Sequence, residues 1–88
     1  NGAYLDSIGW VYYQLEDFDK ALEFIEKAYN KEPNDPVILD HLGDVYYKKR
    51  MLDKALEKWQ KSLAADPDRE DLAGKIEGAR EEIEQQKN

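Results

Sequence analysis

The 88-residue sequence predicts an all-α fold of stacked helix pairs, and three observations predict it. Residues 9–25, GWVYYQLEDFDKALEFI, return at 43–59 as GDVYYKKRMLDKALEKW. A shift of 34 residues puts Gly9 on Gly43, Val11-Tyr12-Tyr13 on Val45-Tyr46-Tyr47, 19–23 on 53–57 and Pro33 on Pro67, with no gap. Self-similarity at a fixed period marks a stacked repeat architecture. Inside each copy the apolar residues recur at the three-to-four spacing of one helix face.

The first helix is expected over 2–15, where Leu5, Ile8, Val11, Tyr12 and Leu15 share a stripe. The second runs over 18–31, with Phe18, Ala21, Leu22, Ile25, Ala28 and Tyr29 in phase. Asp35-Pro36 then opens the next unit. Aspartate is a favoured N-cap, and proline suits the first helical position because its missing N–H has no partner there anyway. The third helix, 36–49, copies the first through Leu39, Leu42, Val45 and Tyr46. The fourth, 52–65, copies the second through Leu52, Ala55, Leu56, Trp59 and Leu63. Gly9 with Ala21, and Gly43 with Ala55, are small residues placed where paired helices must cross closely. Residues 68–88 break the repeat but keep Leu72, Ile76, Ala79 and Ile83 at helical spacing. Asp68 stands at the N-cap place of this fifth helix, with Glu70 and Asp71 in its first turn. Its other faces are charged, which suits a cap over the apolar side of the second unit.

Composition removes several functions. The net charge is −7, which argues against nucleic acid or an anionic membrane as partner. Apolar runs are only a few residues long, so direct membrane insertion is not expected. There is no cysteine for a disulfide or a thiolate metal site. The chain begins at Asn1 rather than Met, and we read it as a piece of a longer protein. Nothing in it selects between a cytoplasmic and a bacterial periplasmic address.

The units resemble tetratricopeptide repeats (TPRs). That family has a 34-residue period and the pattern W-x2-L-G-x2-Y, A-x3-F and P. Unit one supplies Leu5, Ile8-Gly9, Tyr12, Ala21, Ile25, Ala28 and Pro33. Unit two supplies Leu39, Leu42-Gly43, Tyr46, Ala55, Trp59, Ser62 and Pro67. The phrases DSIGWVYY and DHLGDVYY are also loosely similar to the C-terminal ends of long bacterial repeat proteins. The resemblance implies a right-handed α-solenoid: one domain over 1–88, with repeats at 2–35 and 36–69 and a capping helix at 70–88. It departs from the family at Glu16 and Arg50, which replace the usual turn glycines. Both disfavour a left-handed backbone, so the turns are expected to be softly specified and open to domain swapping.

The resemblance also implies a concave groove lined by the first helix of each unit. Its positions here are Asp6, Trp10 and Tyr13, then Asp40, His41, Asp44, Tyr47 and Lys48, with Ala3, Ser7, Gln14 and Val37 beside them. These lie opposite the packing stripe and are expected to be dispensable to the core. Aromatic rings beside carboxylates suit a peptide with apolar anchors and basic residues. The opposing reading is that a preceding repeat covers Trp10 and Tyr13. Some family members grip a chaperone's C-terminal carboxylate with Lys and Asn. Asp6, Trp10 and His41 occupy those places here, which argues against that activity.

No cofactor, metal or catalytic site is expected. His41 is the single histidine, and it has no second set of metal ligands nearby in sequence. Asp66, Asp68, Glu70 and Glu77 have the flavour of a calcium loop, but Pro67 follows the first acid and Asp71 takes the place of the turn glycine. No phosphate-cradling glycine loop, nucleophile elbow or metalloprotease helix is present. The sequence therefore predicts a protein-interaction module rather than an enzyme. The alternative is a structural piece whose first helix and soft turns drive self-association or stacking on further repeats.

Overall fold

A computed structural model describes residues 1–87, so the last residue of the expected cap, Asn88, lies outside the described residues. Five helices follow in order: α1 Gly2–Gln14, α2 Phe18–Lys31, α3 Pro36–Lys48, α4 Leu52–Ala65 and α5 Glu70–Gln86. No strand occurs among the described residues. Each helix packs on the next in the chain, and α1 also touches α3. This serial packing gives an elongated body of 41 × 28 × 18 Å.

Local chemistry sets the ends. The Asn1 side chain accepts from the Tyr4 amide at 2.8 Å, and Asp17 from that of Lys20 at 3.2 Å. Asp35 accepts from the amides of Val37 and Ile38 at 2.9 and 3.1 Å, with Pro36 opening the helix as expected. Asp68 is not a cap: α5 starts one residue later, behind Arg69, with no side-chain cap. The Asp68 amide instead donates to the Asp66 carboxylate, and the Arg69 guanidinium is drawn to Asp40.

Helices α1 and α3 end one residue earlier than expected, at Gln14 and Lys48. The cause is the turn. The Glu16 amide donates to Tyr13 O and that of Asp17 to Tyr12 O, both at 2.9 Å. Arg50 donates to Tyr47 O at 3.0 Å and Met51 to Tyr46 O at 2.9 Å, repeating the arrangement. These are Schellman turns, which place the residue after the C-cap in the left-handed region. Glu16 and Arg50 sit there, at φ 62° and 61°, where glycine would be relaxed.

The core follows the repeat. Ala21, Ile25 and Ala28 of α2, Ile38, Leu42 and Val45 of α3, and Ala55 and Trp59 of α4 are buried together. Leu72, Ile76 and Ala79 extend this core to α5. Gly9 lets Ile25 and the Ala21 carbonyl close on α1, and Gly43 does the same for Trp59 on α3. The close neighbour of Gly43 is thus the indole of Trp59, larger than the alanine the sequence suggested. Ser62, standing where unit one has Ala28, is fully buried and donates to Pro36 O at 2.6 Å.

Candidate functional site

The expected groove residues of α1 and α3 share one side of the molecule, but the structure spends them unequally. Asp6 and Asp40 are buried, which corrects the expectation that this face is dispensable to the core. Between units one and two, the Asp6 carboxylate accepts from His41 Nδ1 at 2.8 Å. The His41 ring also stacks on Trp10, with centroids 4.0 Å apart. Between unit two and α5, Lys75 takes the place that His41 occupies one repeat earlier. Its Nζ lies 3.0 Å from both Asp40 Oδ1 and Asp44 Oδ1. Arg69 adds a second cation to Asp40 at 2.7 Å. Trp59 Nε1 donates to Asp44 at 3.2 Å and to the Asp40 carbonyl at 3.3 Å.

The two junctions obey one rule. The residues at 6 and 10 clasp residue 41, and those at 40 and 44, their 34-residue counterparts, clasp residue 75. The groove-side acids are therefore the rungs of an inter-unit ladder. Their electrostatics reflect this. Burial pushes the Asp44 carboxyl up, opposed by the hydrogen bond and charge of Lys75. Burial disfavours the Lys75 charge, but hydrogen bonds to Asp44 and Asp40 outweigh it and hold the ammonium above its ordinary range. The hydrogen bond to Asp40 likewise raises Arg69.

The remaining expected residues are half-buried or exposed. Trp10 stacks on Tyr13 as well as His41, with centroids 4.3 Å apart at 7°, so its own neighbours half-bury it. Burial chiefly, then the Asp44 charge, raises the Tyr13 phenol, with Lys75 opposing. The Tyr47 hydroxyl donates to Glu82, which raises its own ionisation and lowers that of Glu82. Lys48 is exposed. Tyr13, Tyr47, Lys48, Trp59, Gly74, Lys75, Gly78 and Ala79 line a cleft of ≈ 370 Å³. The sequence reading missed Arg69, Lys75, Glu82, Gly74 and Gly78. One more 34-residue shift would have found most of them, since it lands Asp40 on Gly74, His41 on Lys75 and Asp44 on Gly78. Among the described residues no cluster of His, Cys, Asp or Glu could hold a metal ion, and no helix is long and apolar enough to cross a membrane.

The tetratricopeptide repeat family model matches residues 2–35 and 36–69, consecutively and without a gap. The chain belongs to the tetratricopeptide repeat family. No curated protein matches the sequence. Solved TPR structures share the fold. The first TPR of Spaghetti (RPAP3), solved with the HSP90 peptide SRMEEVD, superposes with a TM-score of 0.84 at 17% identity over 96% of this chain and 68% of that one. The Sgt2 TPR domain from Aspergillus fumigatus gives 0.86 at 21% identity, covering 98% of this chain and 57% of its own. TTC0263, a thermophilic TPR protein of Thermus thermophilus, gives 0.77 at 29% identity, covering 90% and 40%. The chain spans about two thirds or less of the length of these relatives. The family is one of protein-interaction scaffolds.

Proposed function

We propose that the chain is a non-enzymatic interaction module that takes a peptide or protein segment along the groove side of α1, α3 and α5. The unit is one domain over 1–88, with repeats at 2–35 and 36–69 closed by a capping helix at 70–88. The observation that carries the reading is the half-buried aromatic pair Tyr13 and Tyr47 lining an open cleft on the face where the repeats align, with Trp10 stacked on Tyr13 beside it. Such rings offer large contact area at little conformational cost. Asp6, Asp40, His41 and Asp44 shape that face from beneath, while Trp10, Tyr13, Tyr47 and Lys48 meet the partner. Binders selected from a random peptide library test it. Tyr13→Ala is expected to weaken their binding tenfold or more, about 1.4 kcal/mol. Unchanged affinity would overturn the groove assignment.

A second reading rests on α1. Tyr4 and Val11 are 67% and 58% exposed, while their counterparts Ile38 and Val45 are 2% and 0% exposed beneath α2. Leu15 extends the open stripe. A helix patterned like α2, from another repeat or a second copy, would cover it. This reading predicts that solution mass rises with concentration and that Val11→Glu restores the monomer; a monomer at all concentrations opposes it.

A further inference from the structure

The open stripe of α1 has the spacing of a helix seam, and the inference rests on the second reading above. Tyr4, Ile8, Val11 and Leu15 follow one another at four, three and four residues, a heptad pattern on one side of the helix. Tyr4, Val11 and Leu15 are exposed, and Ile8 is half-buried between them. Ser7 and Gln14 flank the stripe and are exposed as well. The face carries no charge. The chain has 13 basic and 20 acidic residues, yet Gly2–Gln14 holds a single one, Asp6, which is buried and engaged by His41. On a chain of net charge −7, this is the helix that a second copy can approach without like-charge repulsion.

Tyr4 argues against a cover copied from α2 or α4. At its place α3 has Ile38 and α5 has Leu72, which are 2% and 0% exposed in the core. A tyrosine in such a site would overpack it and strand the phenol hydroxyl. An α1 from a second copy meets the stripe differently. Run antiparallel about a two-fold axis, Ile8 faces Val11 of the second copy and Tyr4 faces its Leu15. The ring then covers an aliphatic neighbour at the rim, and its hydroxyl stays in water. A parallel pair would instead set Glu16 and Asp17, which follow α1, beside their own copies. The antiparallel pair holds them about a helix length apart, ~20 Å, well beyond the ~8 Å reach of exposed charges in physiological salt. We infer that the chain forms a two-fold dimer through antiparallel α1 helices, with Tyr4, Ile8, Val11 and Leu15 as its seam. Two helices of 13 residues make a small contact. It belongs with weak interfaces, so the dimer is expected at roughly tens of micromolar and above.

Analytical ultracentrifugation of the full chain from roughly 1 μM to 1 mM reads the mass. The expected result is a reversible equilibrium that stops at two copies. Val11→Glu, an exposed change checked for unaltered helicity, is expected to weaken it tenfold or more. The chain has no cysteine, so single introduced thiols report the orientation. Tyr4→Cys and Leu15→Cys chains, mixed under mild oxidation, are expected to form the mixed disulfide well in excess of either variant with itself. Absence of the mixed disulfide, or each variant linking to itself instead, would overturn the antiparallel seam and leave the open stripe as an association surface. Growth beyond two copies that Val11→Glu abolishes would do the same. A monomer throughout, or association that Val11→Glu leaves unchanged, would overturn both the dimer and the second reading.

Discussion

Glycine shows how position decides the sign of a substitution. Gly43 sits in the middle of α3 against the indole of Trp59, a buried ring with little room to retreat. Gly43→Ala is expected to lower stability by about 1–3 kcal/mol, because overpacking exceeds the gain in helix propensity. Gly74 and Gly78 are also inside a helix but face open space. Alanine at either should raise stability by roughly 0.5–1 kcal/mol. Urea unfolding of the three variants checks both signs, and a shared sign would refute the assignment. The tyrosines make a second test at this scale. Burial first, then Glu26, pushes the Tyr46 phenol up to about 12, whereas the hydrogen bond from Lys58 lowers Tyr29. Absorbance titration should show Tyr29 ionising first and Tyr46 last, and Tyr46→Phe should remove the last step. Because the folded value of Tyr46 is raised, its stabilising contribution is complete below pH 10 and lost as pH climbs through about 12.

At the scale of elements, helices and turns were legible to different degrees. The 34-residue register placed α2 and α4 at their observed bounds and the other starts nearly so, because hydrophobic spacing and the Asp35-Pro36 pair act locally. The ends of α1 and α3 were set by Schellman turns through residues that do not advertise them. Neither Glu16 nor Arg50 signals a left-handed backbone; the turn is imposed by the helices that must fold back on each other. Glu16→Gly is therefore expected to stabilise by a few tenths to about 1 kcal/mol, relief of backbone strain being partly offset by a freer unfolded chain. Arg50→Gly should gain less, because it discards the pair with Glu82 and the guanidinium 5.8 Å from the Tyr47 ring centroid. Thermal or urea unfolding distinguishes them, and equal gains would deny the Arg50 contacts any weight. The polar ladder was not legible until α5 was aligned as a third first-helix. Asp68 was misread as a cap for a related reason: the chain at Arg69 answers to Asp40, a residue 29 positions away.

For the whole molecule, cohesion is carried from unit to unit by apolar faces on one side and the ladder on the other. Asp40 is the joint where three parts meet: α3, the Arg69 turn and Lys75 of α5. Asp40→Asn should cost about 1–3 kcal/mol by removing a buried carboxylate from two half-buried cations, Arg69 and Lys75. The loss should fall on α5 first, so that the Leu72 and Ile76 amides exchange faster while Ala21 and Ile25 stay protected. Uniform loss of protection would mean that α5 and the repeats unfold as one unit, against a ladder that acts locally. The groove's aromatic members and its acids were both found from sequence, but their division of labour was not. Asp6, Asp40 and Asp44 turn inward to partners such as His41 and Lys75 one unit on, and in the proposed reading Trp10, Tyr13, Tyr47 and Lys48 are the residues left to meet a partner.

Amide chemical-shift mapping with a library-selected peptide tests the central claim most directly. The account predicts perturbations centred on the Tyr13, Tyr47, Lys48, Gly74 and Gly78 amides, with α2 and the outer face of α4 quiet. Shifts concentrated on Tyr4, Val11 and Leu15, or on α2, would contradict it and make the open face of α1 the working surface of the chain.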